Sequence, residues 1–199
     1  AFLGCLELTS VIIPESVTTI GKNAFSNCYN LNSVEILGNV TEIGAHTFEY
    51  CTSLSSITIP ESVTTIGENA FAYCETLSSI VIPESVTTIG DKAFSNCTKL
   101  ETITIGKSVT TIGEGTFAYC NNLSSIIIPD SVKTIGMNAF DFCESLKSVT
   151  IGNAVEKIDL FSNMVVFVSY AMQVVMAFMM LTMIFIIYPR ASVSADRIL

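Results

Sequence analysis

Apolar and polar positions alternate along most of the chain in a pattern that returns every 23 residues. The stretch Leu54 to Cys74, LSSITIPESVTTIGENAFAYC, shows one full turn of it. From Leu54 to Ile59 apolar residues alternate with hydroxyl residues, as in a strand with one buried face. Pro60 lacks an amide proton and closes that strand. The β-branched run Val63-Thr64-Thr65-Ile66 predicts a second short extended stretch. Gly67 is expected to supply a positive φ that turns the chain. Residues 69–74 are expected to form one helical turn with Ala70, Phe71 and Cys74 inward.

The period does not drift. Cys5, Cys28, Cys51, Cys74, Cys97, Cys120 and Cys143 stand 23 apart, and the Leu8-to-Leu146, Phe2-to-Phe140 and Gly21-to-Gly136 series keep the same step. A fixed period of this size marks a solenoid, whose units bury their apolar sides only against their neighbours. Rungs about 4.8 Å apart would give a parallel sheet on one face and a column of short helical turns on the other, roughly 34 Å long for seven rungs.

The motif LxxIxIPxSVTxIGxxAFxxC resembles the BspA-like (Treponema-type) leucine-rich repeats of bacterial surface proteins and some protozoan ones, over residues 1–158. The resemblance implies an α/β, horseshoe-like leucine-rich-repeat solenoid of about seven rungs. It also implies a module that binds proteins or matrix components and catalyses nothing. Leu37, Gly106 and Gly152 replace the proline, and Thr47 and Thr116 replace the alanine before Phe. These departures are expected to alter local turns without breaking the stack.

Composition changes the picture at residue 159. Residues 160–199 carry six of the seven methionines, no glycine and no cysteine. The formal charge of −9 argues against a nucleic-acid partner, since nothing here replaces phosphate counterions. One histidine and no tryptophan leave little material for acid–base catalysis. No phosphate loop, nucleophile elbow or carboxylate pair with a base occurs, so neither a catalytic residue nor a cofactor is expected.

Seven cysteines is an odd number, and side chains stacked about 4.8 Å apart lie beyond the Cβ separation of a disulfide. No C-x-x-C pair offers a zinc site, so the thiols are expected to be buried apolar fillers. His46 shares its slot with Asn23, Asn69, Lys92, Gly115 and Asn138, which points to solvent. Glu61 and Glu84, and Glu68, Asp91 and Glu114, form carboxylate columns. Such columns are able to share calcium but are more simply a solvated acidic edge, and no metal is expected. Recognition is assigned to the outward strand positions Ser33, Glu35, Ser56, Thr58, Ser79, Val81, Thr102, Thr104, Ser125 and Ile127, with Ser148 and Thr150 completing the face.

From Leu160 to Tyr188 no residue is charged, long enough for a tilted membrane helix. The expected organisation is a repeat domain at 1–158, a transmembrane helix at 159–188 with lipid around 165–187, and a cytoplasmic tail at 189–199. Ser162, Ser169 and Gln173 share one helical face, and Gln173 would want a partner on another helix. YAMQ at 170–173 and PRASVSADRI at 189–198 resemble the sixth transmembrane helix of a bacterial type I ABC exporter. That resemblance implies a cytoplasmic C-terminus, extracellular repeats and other exporter helices as partners. Ala1-Phe2 begins midway through a rung, so a fragment or a fusion is expected. The expectation for the chain is a membrane-tethered surface-binding module, and the alternative is a piece of an ATP-driven exporter joined to repeats.

Overall fold

The structure, a computed structural model, describes residues 1–158. The chain divides into two units, Ala1–Ser162 and Asn163–Leu199. The expected membrane helix, its stripe Ser162, Ser169 and Gln173, and the tail at 189–199 lie outside the described residues. Among the described residues no helix is long and apolar enough to cross a membrane.

The repeats wind into short parallel strands: β1 (Ser10–Ile13), β2 (Ser33–Ile36), β3 (Glu42–Ile43), β4 (Ser56–Ile57), β5 (Thr65–Ile66), β6 (Ser79–Val81), β7 (Thr88–Ile89), β8 (Thr102–Thr104), β9 (Thr111–Ile112), β10 (Ser125–Ile128), β11 (Thr134–Ile135), β12 (Ser148–Ile151) and β13 (Lys157–Ile158). The Val-Thr-Thr-Ile run becomes one ladder, β3-β5-β7-β9-β11-β13, unbroken from end to end. The Ser-Ile-Thr-Ile run becomes the other, in three pieces: β1-β2-β4, β6-β8 and β10-β12. Partners sit one repeat apart, as in Ser79↔Thr102 and Thr65↔Thr88. The seven strands of the second ladder enclose six complete turns of 23 residues.

The third side corrects the sequence reading. No helix forms there, so the described fold is a β-solenoid rather than α/β. In the rung of Phe71, Asn69 and Tyr73 take left-handed φ of 51° and 61°, which breaks any helical run. Alternate amides then point along the solenoid. Asn69, Phe71 and Tyr73 donate N–H to Asp91, Ala93 and Ser95 carbonyls on the next rung at 2.8–2.9 Å, while Ala70, Ala72 and Cys74 donate three residues back within their own rung. This side is a third inter-rung ladder built from turns.

The glycine column also has a different cause from the one expected. Among the described residues, the only glycines with positive φ are Gly4 and Gly115. At Gly90 a Cβ would stand 2.7 Å from Glu68 N and 2.8 Å from Gly67 C, so it is the closeness of successive backbones that demands glycine.

Columns of Leu, Ile, Val, Phe, Ala and Cys fill the interior. Phe rings from Phe2 to Phe140 stack with centroids 5.2–5.8 Å apart. The substituted positions fit: Thr47 and Thr116, fully buried, donate Oγ1–H to Gly44 O and Gly113 O at 2.7 and 2.8 Å. Leu37 and Gly152, freed from proline, add N–H bonds to Ile13 O and Ile128 O on the preceding rung.

Candidate functional site

Two surfaces differ from the closed interior. The first is the outward face of the ladder that begins at β1. Strand alternation sends Val34, Ile80 and Ile126 inward, while Ser33, Glu35, Ser56, Thr58, Ser79, Val81, Thr102, Thr104, Ser125 and Ile127 all stand exposed, with Ser148 and Thr150 beyond them. One of its columns is hydroxyl throughout, Ser10 to Ser148 with Thr102 among the serines. The other mixes Glu35 and threonines with Ile12, Val81 and Ile127, which are 64%, 63% and 69% exposed.

This face is not uniform. The ladder is broken between β8 and β10, and a shallow groove of about 530 Å³ opens there along Thr102, Thr104, Lys107, Ser125, Ile127 and Asp130. Ser131 also borders the groove. Its counterparts Ser62 and Ser85 donate Oγ–H to Val40 O and Val63 O at 2.7 and 2.6 Å, whereas Ser131 Oγ is buried without a partner. Both features fall between the same two rungs, whose other ladder, β9-β11, is unbroken.

The second surface is the turn edge, which sequence reasoning passed over. Tyr50 stacks on Tyr73 at 4.3 Å and Tyr119 on Phe142 at 4.7 Å. All four occupy the left-handed slot immediately before cysteine, where Asn27 and Asn96 stand on other rungs. Partial burial, with Tyr73 and Glu49 nearby, pushes the Tyr50 hydroxyl above its ordinary range. The recurrence of Tyr, Phe or Asn before each of these cysteines was the available signal. The fixed left-handed turn, which lifts that side chain outward, is what the pattern alone did not reveal.

The other candidates have structural work. Each thiol from Cys28 to Cys143 donates S–H to a phenylalanine carbonyl on the preceding rung at 3.1–3.3 Å. All seven cysteines are free thiols, with Cys5 half-buried and the rest buried. Burial pushes the Cys51 and Cys143 thiols up to about 12 and those of Cys74, Cys97 and Cys120 well above the ordinary range. In the carboxylate columns, Glu84 accepts from Lys107 N and Asp91 from Glu114 N, at 2.7 and 2.8 Å. Among the described residues, no three carboxylate, thiol or imidazole side chains come together as a metal site. His46 is half-buried rather than fully solvated, with Nδ1 at 2.9 Å from Glu49 Oε2. It takes a left-handed φ of 57°, as do Asn23, Asn69, Lys92, Gly115 and Asn138 in the same column.

A profile of the BspA type leucine-rich repeat region matches residues 1–124 and 64–166, in six copies. Among solved structures the chain is similar to a leucine-rich repeat protein from Bacteroides ovatus, at 38% identity and TM-score 0.76, over 79% of this chain and 41% of that one. It is similar to a leucine-rich repeat protein of T. pallidum at 30% identity and TM-score 0.69, over 76% of this chain and 71% of that one. A leucine-rich repeat protein from Eubacterium ventriosum aligns at 25% identity and TM-score 0.55, over 78% of this chain and 55% of that one. The chain thus spans less than half the length of the Bacteroides protein. No curated protein matches. The exporter resemblance of residues 163–199 gains no support from these matches.

Proposed function

The chain belongs to the BspA-type leucine-rich repeat family, and from that premise we propose that its repeats are a non-catalytic protein-binding module working at a cell surface. Leucine-rich repeat proteins of this kind generally bind protein ligands. The contact face is the column pair from Ser33 and Glu35 to Ser125 and Ile127, centred on the groove between β8 and β10. The observation that carries this reading is the asymmetry of the strand. The inward Val34, Ile80 and Ile126 are buried and Ile57 and Ile103 half-buried, while outward positions present exposed Val81 and Ile127 among small hydroxyls. A flat face of this kind suits an extended protein segment held by many small contacts.

Residues 165–187 are assigned to a lipid bilayer, with the repeats outside and the C-terminus cytoplasmic. Supporting this are the uncharged run from Leu160 to Tyr188 and the arginines at 190 and 197. The exporter reading rests on YAMQ and PRASVSADRI alone. It requires nucleotide-binding motifs in the DNA that follows Leu199.

Screening the full chain against an array of extended peptides tests the contact face. Spots captured by the wild type should lose at least tenfold in signal with the Thr104→Lys/Ile127→Lys variant, which crowds and charges the groove. Capture that is unchanged in the variant, or no capture by the wild type, removes the strand face from consideration.

A further inference from the structure

Four aromatic rings on the turn edge serve neither the core nor the strand face. Tyr119 and Phe142 are 42% and 47% exposed, and Tyr50 and Tyr73 are half-buried. They form two stacked pairs, and Asn96 holds the slot between them with its Nδ2 on Ser95 Oγ at 2.9 Å. Each ring stacks on its partner through one face, and beside that contact Tyr119 and Phe142 keep the larger share of exposed surface. The slot accepts Asn at two rungs, so the fold does not require aromatic residues there.

Charge decides what such faces would take. In sequence, Glu49 (paired with His46 Nδ1 at 2.9 Å) and Glu75 neighbour the first pair and Asp141 and Glu144 the second, on a chain of formal charge −9. Electron-rich ring faces beside carboxylates favour a cation with a flat or apolar stem, and arginine and lysine side chains have both. The spacing narrows the choice. The centres of the pairs lie three rungs apart, about 14 Å on the ordinary strand spacing, which is close to four residues of an extended chain.

We infer that the turn edge is a second binding surface, which docks an extended basic peptide by placing arginine or lysine side chains four residues apart onto the Tyr50–Tyr73 and Tyr119–Phe142 pairs. This surface lies on a different side of the rung from the strand face and stands whether or not that face binds anything.

The test is fluorescence anisotropy of labelled Gly/Ser peptides with the full chain. One peptide carries two arginines at i and i+4, one carries them at i and i+2, and one carries two glutamates at i and i+4. The i, i+4 arginine peptide should bind at least tenfold more tightly than the other two, and less tightly as salt rises. The variant Y50N/Y73N/Y119N/F142N installs the residue that Asn27 and Asn96 already place in this slot, so its backbone is preserved. It should lose that binding at least tenfold. The single variant Y119N, a smaller change, should lose several-fold. Affinity unchanged in the Asn variants, or indifference to arginine spacing, overturns the proposal. So does binding lost in Ile127→Ser but not in the Asn variants, or capture of a neutral oligosaccharide such as cellohexaose without capture of the arginine peptide.

Discussion

At Gly90 a missing methyl group decides how closely two rungs approach. A Cβ there would stand 2.7 Å from Glu68 N, whereas a Cβ at Gly21 would meet nothing within 4 Å. Gly90→Ala should therefore destabilise the solenoid by about 2–4 kcal/mol, because backbone cannot yield as a side-chain end can. Gly21→Ala should be neutral or slightly stabilising, by up to about 1 kcal/mol through the unfolded chain. Urea midpoints of the two variants check the contrast, and equal losses would reject close approach as the cause.

The thiols make a second argument at this scale. Burial lifts Cys51 and Cys143 from 9.0 to about 12, so the folded chain keeps protons that the unfolded chain releases. The associated stability is complete below pH 9 and falls as pH rises from 9 towards 12. The loss is at most about 1.4 kcal/mol per thiol for each pH unit. Between pH 8 and pH 10 the wild type should therefore lose more urea stability than Cys51→Ala/Cys143→Ala. The variant starts lower, because each alanine leaves a cavity and an abandoned S–H···O bond.

At the scale of the element, the turn side carries the information that the sequence disguised. Leu31, Phe25 and Cys28 were legible because a strict period puts each in the same environment on every rung, and apolar identity then means interior. The conformation of the turn was not legible. Its two left-handed slots hold Asn, His, Lys, Gly, Tyr and Phe, and of these only Asn, His and Gly favour that geometry. Gly67 misled for a related reason: a glycine kept for backbone approach and one kept for positive φ look the same in a sequence. Lys92 at φ 54° is the residue least suited to its slot. Lys92→Asn should stabilise the protein by a few tenths to about 1 kcal/mol, measured by thermal or urea unfolding. A destabilised variant would mean that the lysine stem is worth more to the rung than its backbone strain.

At the scale of the molecule, contacts run almost wholly between adjacent rungs, so stability should follow position along the stack. The interior rungs have a neighbour on each side. Gly67, Gly90 and Gly113 donate N–H to Ile43, Ile66 and Ile89 carbonyls at 2.8–2.9 Å, and Phe48, Phe71, Phe94 and Phe117 are fully buried. On the first described rung Phe2, Leu3 and Leu6 are exposed, and Ile20 pairs through a single bridge. Hydrogen exchange should thus be slowest at Gly67, Gly90 and Gly113 and fastest at Cys5 and Leu8, in graded steps rather than one cooperative block. Phe94→Ala interrupts the ring stack at its centre and should cost about 3–5 kcal/mol. Its distinguishing mark is spatial: protection should fall first at the rungs of Phe71 and Phe117, which stack on Phe94 at 5.2 and 5.8 Å. Protection lost evenly over all rungs would mean that the solenoid opens as one body and that coupling reaches well beyond adjacent turns.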